Sequence, residues 1–345
     1  MRAALVGATG AVGTEMLNIL AERDFPADEL VPVASPRSAG RKLDYKGTQV
    51  EVRALAPDVF DGVDVALFDV PDDVALEWAP VAVERGAVVV DNSAAFRMDP
   101  DVPLVVPEVN PHALDDVRKG VIASANCTTL AIVVPLAALH ARAGLERLVL
   151  ASYQAASGSG KPGVDELWDQ TQRAAKESDA VTAGLAREVL DGGETFVHPI
   201  ALNVVPKCGS LKNDGYTSEE LKLCNETRKI VGLPDLRVTA TCVRVPVVVG
   251  HSVAVHAEFA RPITADEARA VLEDAAGVEV RDDPSANVYP TPLEAAGRDP
   301  CYVGRIRQDL FDDRALELFC VADNLRKGAA LNTVQIAELL LSRAG

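Results

Sequence analysis

The chain has 345 residues, of which 48% are hydrophobic, so it is long enough for two domains with well-filled cores. Its formal net charge of −17 at pH 7 argues against nucleic acid and anionic membranes as partners, because both would repel this surface. No stretch of sequence approaches the roughly 20 apolar residues of a membrane span, and the N-terminus lacks a signal-peptide layout. We therefore expect a cytoplasmic globular protein that binds small molecules.

Six cysteines are spread along the chain, at positions 127, 208, 224, 242, 301 and 320. They form no CxxC pair and no regular framework, which is typical of reduced thiols in a reducing compartment. This distribution argues against a disulfide framework and against a structural zinc site.

The first residues predict a strand, a tight glycine turn and a helix. The apolar run RAALVG at residues 2–7 leads into glycines at 7, 10 and 13, and TEMLNILAERD then has helical spacing of its apolar positions. The glycines permit close backbone approach, and the helix N-terminus offers N–H groups to a pyrophosphate. A plain glycine turn is the alternative, but its place at the start of a βαβ unit favours a dinucleotide site.

The loop after the second predicted strand indicates which dinucleotide is bound. That strand, ELVPVAS, ends near Ser35 without the acidic residue that NAD-preferring sites often carry there. Ser35, Arg37 and Ser38 in the loop SPRSAGRK can instead contact a ribose 2′-phosphate. A solvated basic loop is the alternative, but a basic cluster at this position in so acidic a chain favours a phosphate site. We therefore predict NADP as the cofactor.

Further strands are predicted at about 63–69, 87–92, 103–107 and 120–123, with helical segments between several of them. Together with the first two strands they predict a doubly wound sheet. After Cys127 the run TTLAIVVPLAALHARAG predicts a buried helix, and LERLVLASYQAA predicts the next strand.

Cys127 lies at the predicted N-terminus of that buried helix. The positive end of the helix dipole favours a thiolate there, and Asn126 beside it can donate to a developing oxyanion. From these residues alone, a buried small residue at a helix start is an equally good interpretation.

Arg244 and His251 lie in the apolar segment TCVRVPVVVGHSVAVHAEFA, residues 241–260. An arginine among valines needs an anion or a carbonyl as its partner, whereas a lone histidine on a strand is more often structural than catalytic. Seven residues of regular strand would hold the two side chains roughly 23 Å apart on opposite faces. If Arg244 and His251 both contact one small substrate, the chain between them must bend, which Pro246 and Gly250 permit.

The segment YTSEELKLCNETRKI predicts a helix that begins with a capping box made by Thr217 and Glu220. Glu219 and Lys222 are three residues apart, so they would share a helical face and can form an ion pair. From sequence alone, a solvated surface is the favoured interpretation of this pair.

Eight ordered motifs together resemble the aspartate-semialdehyde dehydrogenase family, essentially from end to end. They are GATGAVG at 7–13, SPRSAGRKL at 35–43, DNSAAFRMDPDVPLVVPEVN at 91–110, ANCTT at 125–129, SYQAASGSG at 152–160, ELK at 220–222, CVRVPVVVGHS at 242–252 and DNLRKGAALNTVQIAELL at 323–340. Several ordered motifs along one chain are far more specific than a glycine turn.

The resemblance implies an α/β fold with an N-terminal Rossmann-like doubly wound sheet in residues 1–127, onto which a C-terminal helix at about 326–345 packs back. Residues 128–325 would form an α+β catalytic and dimerisation domain. The implied reaction is the NADPH-dependent reductive dephosphorylation of L-aspartyl 4-phosphate to L-aspartate 4-semialdehyde, toward lysine, diaminopimelate, threonine and methionine. It needs no metal, and the family's subunit pairing implies a homodimer or homotetramer.

The resemblance also implies residue roles. Cys127 would form a thioester, and His251 would act as general acid–base. Gln154 would orient the acyl group, and Arg244 would hold the substrate carboxylate. The phosphate would be bound by Arg97 and Lys222, and Glu219 would position Lys222 or contact the substrate amine. The implied cofactor contacts are Gly7, Thr9, Gly10, Ala11, Val12 and Gly13 of the glycine turn, Ser35, Arg37 and Ser38 of the loop, and Ser157, Gly158 and Asn324.

Two stretches depart from the family pattern. Ser124 and Ala125 replace an Asn-Pro pair before the nucleophile, and DVPDD from Asp69 to Asp73 replaces a small Ser-Ala-Gly segment. Carboxylates near a pyrophosphate would be repulsive unless this loop points away.

Two other functions stay open at this point. One is another acyl-phosphate reductase, such as N-acetyl-glutamyl-phosphate reductase or a secondary-pathway paralogue. The other is an NADP-binding protein without catalysis. The presence of Cys127, Gln154, Arg244 and His251 together argues against the second, since a protein that only binds the cofactor has no chemical need of them.

Overall fold

The computed structural model describes residues 1–344, apart from the side chains of Asn213 and Ala344, and the chain divides into two compact units. Unit 1 comprises Met1–Val134, Asn225–Pro234 and the segment from Leu325 onward. Unit 2 comprises Pro135–Cys224 and Asp235–Asn324. The sequence-based boundary at residue 127 did not anticipate that residues 225–234 belong to unit 1.

Unit 1 is built on a parallel sheet. The strands in this part of the chain are β1 (Arg2–Val6), β2 (Glu29–Ala34), β3 (Lys42–Tyr45), β4 (Thr48–Glu51), β5 (Arg53–Ala54), β6 (Val65–Phe68), β7 (Val88–Asp91), β8 (Leu104–Val105) and β9 (Val121–Ser124). Seven of them form one sheet in the order β5-β2-β1-β6-β7-β9-β8, with every neighbouring pair parallel, while β3 and β4 form a separate antiparallel hairpin. The predicted strands are confirmed, and their near-continuous apolar runs are typical of a parallel sheet covered on both faces.

The helices of the described chain are α1 (Ala11–Glu22), α2 (Asp72–Glu84), α3 (Cys127–Ala143), α4 (Gly160–Lys176), α5 (Ser178–Thr182), α6 (Ala186–Val189), α7 (Ser218–Val231), α8 (Ala265–Glu273), α9 (Pro292–Ala295) and α10 (Asn332–Ala344). Val334 and Ala337 of α10 pack in the same apolar cluster as Leu5 of β1 and Leu67 of β6. None of the described helices is long and apolar enough to cross a membrane.

Unit 2 is built on a mixed sheet. Its strands are β10 (Leu145–Gln154), β11 (Arg237–Arg244), β12 (His251–Phe259), β13 (Val278–Val280), β14 (Cys301–Gln308) and β15 (Ala315–Ala322), in the order β11-β10-β12-β15-β14-β13. The β10–β11 and β13–β14 pairs are parallel and the others antiparallel. A parallel Rossmann-like unit followed by a mixed α+β unit confirms the predicted fold class.

A break separates the strands that carry Arg244 and His251, as predicted. Arg244 is the last residue of β11 and His251 the first of β12, and Gly250 between them has φ of +100°. The connecting loop also pairs with the end of β10, because Val245 N–H donates to the Gln154 carbonyl at 3.0 Å. The bend therefore brings the ends of three neighbouring strands together.

We expect Gly250→Ala to lower the midpoint of thermal unfolding, because a positive φ costs about 1–2 kcal/mol for an L side chain. In addition, the new Cβ would lie 2.9 Å from the Pro292 Cβ. Gly184→Ala is the matched control, since Gly184 has φ of +83° but no neighbour within 4 Å of an added Cβ. Equal losses in the two variants would show that the bend is not held by packing.

Candidate active site

The turn between β1 and α1 is shaped so that only glycine fits at two positions. Gly7 has φ of +95°, and a Cβ built on it would lie 2.0 Å from the Asp69 carbonyl oxygen. A Cβ on Gly13 would lie 2.1 Å from the Gly7 carbonyl oxygen. Gly10 caps the N-terminus of α1, Ala11 is exposed, and Val12 packs against the core of unit 1. The backbone N–H groups at the start of α1 can therefore be approached closely by an anion.

The loop after β2 lies beside this turn. The Thr9 hydroxyl lies 3.4 Å from the Ser38 hydroxyl, within a short 3₁₀ turn that spans Pro36–Ser38. Ser35 and Arg37 are exposed, and no ion pair joins Arg37 to another residue of the described chain. The structure thus brings two groups of predicted cofactor residues together, with an accessible guanidinium at the carboxyl end of β2. These residues fit a dinucleotide that carries a further phosphate on its ribose.

Asn126 caps the helix that begins at Cys127. Its Oδ1 accepts the backbone N–H groups of Thr128 at 2.9 Å and Thr129 at 3.4 Å. Cys127 is partly exposed, whereas the other five cysteines, all within the described chain, are buried. The accessible thiol therefore stands at the N-terminus of a helix, where the dipole favours its ionised form.

Arg97 is buried against the chain that leads to this cysteine. Its Nε donates to the Ser124 carbonyl at 2.8 Å, and Nη2 donates to the Asn92 carbonyl at 2.7 Å. Nη1 pairs with the Glu226 carboxylate at 3.1 Å. The other oxygen of Glu226 accepts the backbone N–H of Asn126 at 2.7 Å. Glu226 therefore links the guanidinium to the residue that immediately precedes Cys127.

Lys229, one helical turn after Glu226, holds the backbone of the segment that carries Arg97. Its Nζ donates to the carbonyl oxygens of Arg97, Asp99 and Val102, each at 2.8 Å. Burial lowers the pKa of Lys229, and the charges of Asp99 and Glu226 oppose that shift. The second half of α7 thus fixes the Arg97 segment through one side chain and three backbone carbonyls.

In unit 2, three predicted site residues meet at one end of the mixed sheet. Gln154 ends β10 and is the register partner of Arg244, which ends β11. His251 begins β12, the neighbour of β10 on its other side. The break between β11 and β12 therefore brings Arg244 and His251 to the end of the sheet that carries Gln154, as action of both on one small substrate would require.

A single residue, Ala155, holds both His251 and Arg244 through its backbone. Its N–H donates to His251 Nδ1 at 3.0 Å, and its carbonyl accepts from Arg244 Nη1 at 2.6 Å. Because Nδ1 accepts, the neutral imidazole carries its proton on Nε2, which is buried and has no hydrogen-bond partner among the described residues. Burial, and secondarily the positive charge of Arg244, lowers the pKa of His251 to about 3.

Gly158 packs closely against this pair. A Cβ on Gly158 would lie 2.7 Å from Arg244 Nη1 and 3.3 Å from His251 Nε2. Arg244 also lies over the Phe196 ring, with its Cζ 5.9 Å from the ring centroid. A cavity of about 330 Å³ beside Arg244 is also lined by Ser159, Thr195 and Lys207.

Two further predicted substrate residues, Glu219 and Lys222, lie on α7 near Gln154. Lys222 Nζ pairs with Glu219 Oε1 at 2.6 Å, and Gln154 Nε2 lies 3.5 Å from Glu219 Oε2. The Glu219 side chain is only 14% exposed, so the pair is not a solvated surface pair, contrary to the interpretation from sequence alone. The capping box at the start of α7 is confirmed, because Thr217 N–H donates to Glu220 Oε2 at 2.7 Å and Glu220 N–H to Thr217 Oγ1 at 3.4 Å.

Asn324 and Ser157 are joined to the bend described above. Asn324 Nδ2 donates to the Ser157 hydroxyl at 2.9 Å, while Gly250 N–H donates to Asn324 Oδ1 at 2.8 Å. Asn324 therefore links the loop before His251, through Oδ1, to the segment after β10 that carries Ser157, through Nδ2.

Sequence reasoning missed Glu226, Lys229 and Ala155. Glu226 and Lys229 lie in NETRKI, where charged residues in a helix resemble a solvated face. The signal that could have found them is the buried helical position of Glu226, one turn after Leu223 on the same face. Ala155 acts only through its backbone, so its side chain gives no signal.

A parallel sheet with a glycine turn after its first strand, followed by a mixed-sheet unit with buried polar groups, defines a two-domain dinucleotide-binding oxidoreductase. Family models agree with this division. The semialdehyde dehydrogenase NAD binding domain matches residues 2–117, and the semialdehyde dehydrogenase dimerisation domain matches residues 136–327.

Full-length relatives identify the family more closely. Aspartate-semialdehyde dehydrogenase of Streptomyces akiyoshiensis is 53% identical over 99% of this chain and 98% of its own. Aspartate semialdehyde dehydrogenase II of Vibrio cholerae, solved in complex with ASA, is 42% identical with a TM-score of 0.92, over 99% and 98% of the two chains. The Candida albicans enzyme, solved with NADP, is 26% identical with a TM-score of 0.73, over 99% of each chain. The chain belongs to the aspartate-semialdehyde dehydrogenase family.

We expect the His251 ring to stay neutral from about pH 5 to 8, since its pKa is lowered to about 3. As far as this ring is concerned, the free energy of unfolding is highest above pH 6.5, the ordinary pKa of histidine. It decreases as pH falls toward 3, because the unfolded chain binds the proton at a higher pH than the folded chain does. Nuclear magnetic resonance of the histidine ring protons, assigned with a His251→Gln variant, checks this.

His256 is the internal control in the same spectra. Burial acts to lower its pKa, but the hydrogen bonds and charges of Glu317 and Glu258 outweigh burial and raise it. Its resonance should therefore titrate within the neutral range or above it. A His251 resonance that titrates near 6.5 would contradict the buried, neutral state.

Proposed function

We propose that the protein catalyses the NADPH-dependent reductive dephosphorylation of L-aspartyl 4-phosphate to L-aspartate 4-semialdehyde, in the biosynthesis of lysine, threonine and methionine. The observation that carries the proposal is the accessible thiol of Cys127 at the start of α3, in a chain related from end to end to aspartate-semialdehyde dehydrogenases. The Candida enzyme that was solved with NADP supports the choice of cofactor.

Cys127 is the proposed nucleophile. Its sulfur attacks the acyl carbon, the carbon–oxygen bond to phosphate breaks, and a thioester forms. In this step the thiol loses a proton and the departing phosphate gains one. Bound NADPH would supply the hydride that reduces this thioester, and cleavage of the carbon–sulfur bond would then release the aldehyde and the Cys127 thiolate. The Asn126 side chain, already used as a helix cap, is proposed to stabilise the oxyanion as well.

Arg244 is the proposed partner of the substrate carboxylate, since a planar guanidinium can bind it through two parallel hydrogen bonds. One of its nitrogens already contacts the Ala155 carbonyl, which fixes the orientation of the fork. We assign Lys222 to the phosphate, Glu219 to the positioning of Lys222, and Gln154 to the acyl group. The phosphate role that the resemblance implies for Arg97 stays a prediction, because its three nitrogens already bind Glu226 and the carbonyls of Ser124 and Asn92.

His251 is proposed to act through Nε2 alone. Nδ1 is occupied by the Ala155 N–H, so the ring presents a single proton-bearing atom. In the free protein this atom is a hydrogen-bond donor, which suits it to the oxygen that becomes negative during attack on the acyl group. Because Nε2 of the neutral ring already carries its proton, we propose that His251 acts there as a hydrogen-bond donor, which is the part of the acid–base role implied by the family resemblance that this tautomer can perform.

We also propose a homodimer. The family model that matches residues 136–327 is a dimerisation domain. In unit 2, Val149 and Tyr153 of β10 are 37% and 39% exposed on one face of the mixed sheet. Apolar side chains on a sheet face are typical of a surface that another subunit covers.

The substrate assignment is tested by chain length. With phosphate and NADP present, aspartate 4-semialdehyde should be oxidised with a rise in NADPH absorbance, whereas the N-acetylated five-carbon semialdehyde should not. The reverse preference would favour N-acetyl-glutamyl-phosphate reductase activity. Turnover of neither aldehyde, with NADP binding intact, would favour a non-catalytic protein.

We expect Arg37→Ala to weaken NADP binding by about tenfold or more and to leave NAD binding nearly unchanged, because only NADP carries the 2′-phosphate. Fluorescence titration with each dinucleotide measures both affinities. Arg187→Ala, which removes the same charge from an exposed position on α6, is the matched control. Equal weakening of both dinucleotides would contradict the assignment of Arg37.

A further inference from the structure

The carboxyl end of β6 places an acidic side chain against the glycine turn. Asp69 follows β6 directly, and its Oδ2 lies 3.7 Å from the position of a Cβ built on Gly10, the residue that caps α1. The backbone of Asp69 is equally close, since its carbonyl oxygen would lie 2.0 Å from a Cβ on Gly7. The question raised by the sequence is thereby answered: the Asp69 carboxylate does not point away from the turn.

The carboxylate is held in this place by its neighbours. Asn92 Nδ2 donates to Asp69 Oδ1 at 3.0 Å, and Asp69 N–H donates to the Val6 carbonyl at 2.8 Å. Burial raises the pKa of Asp69, while Asn92 and the backbone N–H of Gly13 oppose the shift. The groups that stabilise its charge are thus neutral: the Asn92 amide, and a backbone N–H in the first turn of α1.

We propose that the Asp69 carboxylate repels the dinucleotide pyrophosphate. This repulsion lowers the affinity of the chain for NADP and makes that affinity depend on pH. The inference rests on the proposed cofactor. An anion at the N-terminus of α1 and an ionised Asp69 compete for the same backbone N–H groups, and their like charges repel at short range. Protonation of the carboxyl removes the repulsion and leaves a hydrogen-bond donor in its place.

The ionisable side chains at the ends of the neighbouring elements are acidic, and Arg97, which binds the Asn92 carbonyl, is the cation on this side of the sheet. The turn from Gly7 to Thr14 contains no ionisable side chain. The neighbouring strand β7 ends at Asp91, which is buried and hydrogen-bonded to Ser93. Helix α2 begins with Asp72, which accepts the Ala94 N–H, and Asp73. None of these residues supplies a compensating positive charge to Asp69.

The test compares NADP dissociation constants, by fluorescence titration, in the wild type, Asp69→Asn and Asp69→Ser. Asn keeps an acceptor for Asn92 without the charge, and Ser is a second, smaller neutral residue in case the Asn variant does not fold. We expect both to tighten NADP binding by about tenfold at neutral pH. Asp73→Asn is the matched control, because it removes one charge from the exposed first turn of α2 and should change little.

The pH arm uses the ratio of the wild-type and Asp69→Asn dissociation constants, so that ionisation of NADP itself cancels. This ratio should fall toward one as pH decreases and the Asp69 carboxyl becomes protonated. Unchanged or weaker NADP binding in both neutral variants, or a ratio that is constant with pH, would overturn the inference. Absence of NADP binding in every form would instead overturn the proposed cofactor.

Discussion

The buried pair between Glu226 and Arg97 is the interaction on which the proposed nucleophile depends. Burying two charges is costly, so such a pair persists only when the remaining hydrogen-bonding atoms are satisfied. Here the second oxygen of Glu226 binds the Asn126 N–H, and two other nitrogens of Arg97 bind the carbonyls of Ser124 and Asn92. The pair therefore fixes the backbone on both sides of Ala125 and sets where α3, and with it Cys127, begins.

In unit 2, backbone groups orient the side chains of the proposed site. Ala155 alone orients the His251 ring through its N–H and the Arg244 guanidinium through its carbonyl. Its neighbours are fixed in turn by the loop before β12, because Ala156 N–H donates to the Val247 carbonyl at 2.7 Å. The positive φ of Gly250 thus has a function: the bend lets two strand ends share one backbone residue, which holds a neutral histidine beside a permanent cation.

Sequence reasoning predicted the features that are set locally, by runs of apolar residues and by the positions of proline and glycine. Apolar runs located the parallel strands, Pro246 and Gly250 located the break, and residue spacing identified the Glu219–Lys222 pair. It could not find the pairing of Glu226 with Arg97, because 129 residues separate the two in sequence. It also could not place the Asp69 carboxylate, since the direction of one side chain in a turn depends on contacts such as the one with Asn92.

The central claim is that catalysis proceeds through an acyl group on Cys127. Intact-protein mass spectrometry after mixing with L-aspartyl 4-phosphate, without NADPH, tests it most directly, with Cys127→Ser as the control. The account predicts an aspartyl adduct on the wild type that peptide mapping assigns to Cys127, that hydroxylamine removes, and that is absent from the control. An adduct on another residue, or aldehyde formation by the serine variant at the wild-type rate, would contradict it.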